Sequence, residues 1–83
     1  MKKRILIVED NIALSHIQKD WLEREGYSVA TAMNEPFAHK LLRKEQFDLI
    51  LSDVRLPQGD GIHLLEWIGK EKMDIPCLLY TSP

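Results

Sequence analysis

The chain has 83 residues, a length that holds one small domain with a modest core. An apolar share of 45% and a charged share of 29% exclude a disordered tail, and a net charge of −2 excludes a general electrostatic attraction for nucleic acid. Cys77 is the single cysteine, so no disulfide forms within the chain; in the run IPCLLY it reads as a small buried hydrophobe.

Arg4 to Val8 is a short, continuous apolar run of the kind found in parallel sheets covered on both faces. Leu14, Ile17, Trp21 and Leu22 recur at helical spacing and predict an amphipathic helix from about Asn11 to Glu25, with Gly26 as its stop. YSVATA is a second strand. Asn34 is placed to cap a second helix, with Pro36 tolerated in its first turn and Phe37, Ala38, Leu41 and Leu42 as its apolar stripe. FDLILS is the third strand. Asp60 is placed to cap a third helix marked by Ile62, Leu64, Leu65 and Ile68, and IPCLLYT is a fourth strand. The order βαβαβαβ predicts right-handed crossovers and a parallel sheet with helices on its faces. Trp21 and Trp67 read as packing residues. His16, His39 and His63 share no metal-ligand spacing and read as helix-surface histidines.

In open parallel sheets, ligands bind beyond the carboxyl ends of the strands. Glu9 and Asp10 end the first strand and Asp53 ends the third. If those strands are neighbours, three carboxylates converge on one rim. Their repulsion raises the pKa of at least one of them unless a cation intervenes, and a hard divalent ion such as Mg²⁺ suits such a set. Taken singly, each acid also reads as a solvated loop residue or a helix cap, Asp10 in front of the first helix above all. Pro57, Gly59 and Gly61 turn the chain tightly before the third helix, which keeps Asp53 at the rim and lets a carbonyl near Arg55 face a metal.

ILIVEDN, DLILSDVRLPQGDG and IPCLLYTS together resemble the receiver domain of two-component response regulators across the whole chain, and RLPQGDG is similar to regulators of the NtrC type. The resemblance implies a flavodoxin-like (CheY-like) α/β fold with strand order 2-1-3-4-5, in which the first and third strands are adjacent. It implies that Asp53 accepts a phosphoryl group from a phosphohistidine on a sensor histidine kinase or phosphotransfer protein. It also implies that Asp10 and Asp53 ligate Mg²⁺ directly, that Glu9 acts mainly through water, and that the Arg55 backbone carbonyl completes the protein ligands. Thr81, 28 positions after Asp53, becomes the switch hydroxyl. Such a domain is no enzyme beyond its own phosphorylation and dephosphorylation. The chemistry needs positioning and charge neutralisation more than covalent help.

Three rivals are weighed. A flavodoxin-like cofactor module puts a Gly/Ser-rich loop after the first strand, where this chain has Glu9 and Asp10. A metal-dependent phosphohydrolase of the D-x-D kind is missing its second acid, since Val54 and Arg55 follow Asp53. A receiver-like interaction module that no longer takes phosphate has no need of the acids. Against the family's pattern, the fifth strand with its lysine and the fourth and fifth helices are missing. The expectation is therefore a partial, C-terminally truncated receiver domain over residues 1–83, unable to relay a signal and prone to self-association through the exposed CLLY edge. No contact with nucleic acid or membrane is expected. No run reaches membrane-spanning length and MKKR lacks the apolar stretch of a signal peptide, so a cytoplasmic location is expected.

Overall fold

The computed structural model describes residues 2–81. Four strands, β1 (Arg4–Val8), β2 (Ser28–Ala32), β3 (Leu49–Asp53) and β4 (Cys77–Tyr80), alternate with three helices, α1 (Ile12–Arg24), α2 (Glu35–Lys44) and α3 (Gly61–Lys70). The strands form one parallel sheet in the order β2-β1-β3-β4. β1 and β3 are therefore neighbours, as the convergence of the acids requires, and Val8 pairs in register with Ser52.

Local chemistry sets each helix start. Asn11 Oδ1 accepts from Leu14 N at 3.0 Å, Asn34 Oδ1 from Phe37 N at 2.9 Å, and Asp60 Oδ1 from His63 N at 2.6 Å. Each cap satisfies an orphan amide and stabilises its helix by about 1 kcal/mol. Gly26, with φ +96°, ends α1 in the left-handed conformation that glycine adopts freely.

Strand alternation divides the apolar residues between two faces. Leu6, Val8, Ala32 and Ile50 face α2 and α3, where they pack with Ala38, Leu42, Phe47, Leu64 and Ile68 in the main core. Ile5 and Ile7, paired in register with Leu49 and Leu51, face α1. Leu49 and Leu51 therefore lie on the α1 face. Cys77 packs on the main core, half-buried, where burial pushes its thiol pKa up.

On the α1 face, Trp21 departs from its reading as a packing residue. Trp21 is 66% exposed and Ile17 62%, because α1 alone covers that side of the sheet. Ile17, Trp21, Leu22 and Leu51 line a shallow apolar cleft of about 210 Å³. Trp21 is thus not a core packing residue, whereas Trp67 packs against the core. Phe37, Ile62 and Leu65 also stay exposed, so the stripes of α2 and α3 are narrower than their spacing suggested. β4 ends at Tyr80, leaving Thr81 just beyond the strand. Among the described residues no helix is long and apolar enough to cross a membrane.

Candidate functional site

Glu9 and Asp53 follow the paired Val8 and Ser52 on adjacent strands, so the register alone sets them side by side. With Asp10 they form a cluster in which one carboxylate oxygen from each residue lies within 4.8 Å of the others. Glu9 is 1% exposed and Asp53 0%, while Asp10 is open to solvent. Two buried carboxylates beside a third are costly without compensating charge. An all-oxygen donor set with one open side matches a hard divalent ion that keeps several waters, so the residues present fit Mg²⁺.

Backbone contacts hold the acids in place. Asp53 Oδ1 accepts from Arg55 N at 3.0 Å, and Glu9 Oε2 accepts from Asn11 N at 3.0 Å. Val54 N donates to Tyr80 O at 2.7 Å and Gly61 N to Val54 O at 2.9 Å, while Arg55 and Asp60 form an antiparallel bridge across the loop. A Cβ on Gly61 would sit 2.6 Å from the Asp53 carbonyl oxygen, so only glycine lets α3 begin this close to the end of β3. Thr81 is exposed and directly follows Tyr80, the register partner of Asp53. The sequence-derived residues Glu9, Asp10 and Asp53 are thus brought together, with Arg55 in the adjoining loop and Thr81 on the neighbouring strand end.

Two features were not anticipated. Tyr80 donates its hydroxyl to Glu9 Oε1 at 2.5 Å and accepts from Gln18 Nε2 at 3.1 Å. Burial first, and the Glu9 hydrogen bond second, raise the Tyr80 pKa far above its ordinary value, so the phenol stays a donor. The second feature is Glu35, 3% exposed at the start of α2. Its Oε1 accepts from Asp60 N at 3.2 Å, and its Oε2 lies 2.5 Å from His63 Nδ1. His39 Nε2 approaches the same oxygen at 2.8 Å, close enough for an ion pair but outside hydrogen-bond geometry. His39 also stacks on Trp67, with ring centroids 3.9 Å apart. His63 lies on the surface as expected yet links α3 to α2 through the Glu35 carboxylate, whereas the half-buried His39 departs from the surface reading and reaches α3 through its stack on Trp67. The Glu35 hydrogen bond, then its charge, raises the His63 pKa. The Glu35–His39 spacing of four is a helical pair legible in the sequence, whereas His63 reaches it only through tertiary packing. His16 is exposed, as expected.

Comparison with known proteins agrees with this arrangement. The family model described as the response regulator receiver domain matches residues 5–83. The two-component response regulator ORR24 of Oryza sativa is 42% identical over 81 residues, covering 95% of this chain and 13% of that protein. The chain spans well under half the length of the curated relatives it matches. The response regulator TrrA of Thermotoga maritima, solved in complex with Mg²⁺-BeF, superposes with a TM-score of 0.91 at 33% identity, covering 98% of this chain and 70% of that one. TrrA in complex with the histidine kinase ThkA superposes with a TM-score of 0.90 at 34% identity, covering 96% of this chain and 69% of that one. With its β2-β1-β3-β4 parallel sheet and its acids at the ends of β1 and β3, the chain belongs to the receiver domain family of two-component response regulators.

Proposed function

We propose that Asp53 is the phosphoacceptor of this domain, taking a phosphoryl group from a phosphohistidine on a sensor histidine kinase or phosphotransfer protein. The observation that carries this reading is the convergence of Glu9, Asp10 and Asp53 within 4.8 Å at the adjacent ends of β1 and β3. An Asp53 carboxylate oxygen attacks phosphorus; the phosphorus–nitrogen bond breaks and its electron pair returns to the imidazole. Bound Mg²⁺ supplies the charge neutralisation that lets an anionic nucleophile meet an anionic phosphoryl group. Asp10, Asp53 and the Arg55 backbone carbonyl would hold the ion directly, and Glu9 through water. The Arg55 N–H orients Asp53 through Oδ1. The Thr81 hydroxyl, one residue past the register partner of Asp53, is suited to donate to the new phosphoryl oxygens and so to bias a two-state loop.

The Mg²⁺-BeF complex of TrrA supports the ion, and its complex with ThkA supports the kinase partner. In this reading the domain acts in the cytoplasm and catalyses at most its own phosphorylation and dephosphorylation. The test is incubation with Mg²⁺ and a small acyl-phosphate donor, followed by intact mass. The parent is expected to gain one phosphoryl mass and Asp53→Asn none. Equal labelling of the two proteins would remove Asp53 from the role.

A further inference from the structure

Both oxygens of Glu9 are engaged by protons of the chain itself. Oε2 takes the Asn11 N–H and Oε1 takes the Tyr80 hydroxyl, which is itself fixed by the Gln18 amide. Glu9 is buried, and these two donors hold it from opposite ends of the chain's order: Asn11 from the start of α1, Tyr80 from the last residue of β4. A carboxylate pinned in this way cannot swing into a metal's coordination sphere without breaking one of the two bonds. It can accept a hydrogen bond from a metal-bound water while keeping both.

We propose that Tyr80 is a positioning residue for the metal centre: its hydroxyl orients Glu9 as a receiver of metal-bound water and ties that centre to the strand end carrying Thr81. The inference rests on the reading of Glu9, Asp10 and Asp53 as an Mg²⁺ site. Groups that orient metal ligands typically change affinity about 10–100-fold when removed, and a group acting on a carboxylate that works through water belongs at the lower end, roughly tenfold. Phenylalanine keeps the ring and its packing, so Tyr80→Phe isolates the hydroxyl.

The experiment is a Mg²⁺ titration of the full 83-residue chain followed by NMR shifts, for the parent, Tyr80→Phe, Glu9→Gln and the double variant. Roughly tenfold weaker binding in Tyr80→Phe is expected, with no further loss when Tyr80→Phe is added to Glu9→Gln. Gln18→Leu, which removes the donor that fixes the phenol, is expected to weaken binding in the same direction by a smaller factor. It also keeps the test decisive should Tyr80→Phe not fold. Parent-like affinity in Tyr80→Phe, or the same loss with and without Glu9, would overturn the positioning role. A parent that binds no Mg²⁺ would instead overturn the metal site itself, and the positioning role with it.

Discussion

Gly59 makes a sharp test of the packing beneath the loop after β3. Its φ is +85°, and a Cβ there would lie 2.1 Å from Glu35 Oε1 and 2.9 Å from Glu35 Cβ. The second distance matters more, because Cβ is fixed to the α2 backbone and cannot rotate away. Gly59→Ala must therefore shift either the loop or the first turn of α2. Either shift separates the buried Glu35 carboxylate from Asp60 N and from His63. The left-handed backbone costs an alanine about 1 kcal/mol. Losing a hydrogen bond to a buried charged group costs about 1.5–3 kcal/mol. The expected destabilisation is about 2.5–4 kcal/mol, a large part of the ~4–12 kcal/mol that a domain of this size possesses. Urea unfolding followed by circular dichroism reads it directly. With a slope of roughly 1.5 kcal/mol per M, the midpoint falls by about 2 M. In a Glu35→Gly background that Cβ is gone together with the carboxylate, and Gly59→Ala should cost only the backbone term of about 1 kcal/mol. A cost that small in the native background would refute the argument that Glu35 is immovable.

Asp10 is exposed while both Glu9 oxygens are occupied, so Asp10→Ala should weaken Mg²⁺ binding more than Glu9→Gln; equal losses in an NMR titration would overturn that ranking. The His63 imidazolium faces Glu35 and His39 across on α2 and Asp60 and Glu66 on its own side, and its pKa is raised from 6.5. The stability from this contact is thus fully present below the unfolded pKa and lost as pH rises through the higher folded value. The gap in urea midpoint between the parent and His63→Gln should shrink from roughly pH 5 to pH 8, and a constant gap would contradict the contact. β4 lies at one edge of the sheet, Leu78 is 56% exposed and Trp21 more so, which favours pairing between copies of the 83-residue polypeptide. Light scattering should show self-association that weakens in Leu78→Lys; a monomer with sharp, well-dispersed NMR peaks would show that the edge is adequately protected.

What the sequence determined by itself is what depends on neighbours a few residues away. Asn34 and Asp60 each bond the amide three residues on, so those two helix starts were legible from their caps; the first helix was legible from its apolar spacing, with Asn11 rather than Asp10 as its cap, and the four strands from their apolar runs. The acids of the site were legible because an alternating β/α pattern already implies a rim where strand ends meet, and because their spacing resembles a known family. Which side chains meet across the fold is settled by tertiary packing. Trp21 and Leu14 share a helical spacing in the sequence, yet only the number of helices on that face leaves Trp21 in solvent. The Tyr80–Glu9 bond joins residues 71 apart, and the His63–Glu35 contact residues 28 apart. Neither has a local signal, because both follow from the β1-β3-β4 register and the packing of α2 on α3. Local propensity acts on the nearest turn of chain, whereas these contacts exist only once the loops between them have closed and the sheet has set their distance.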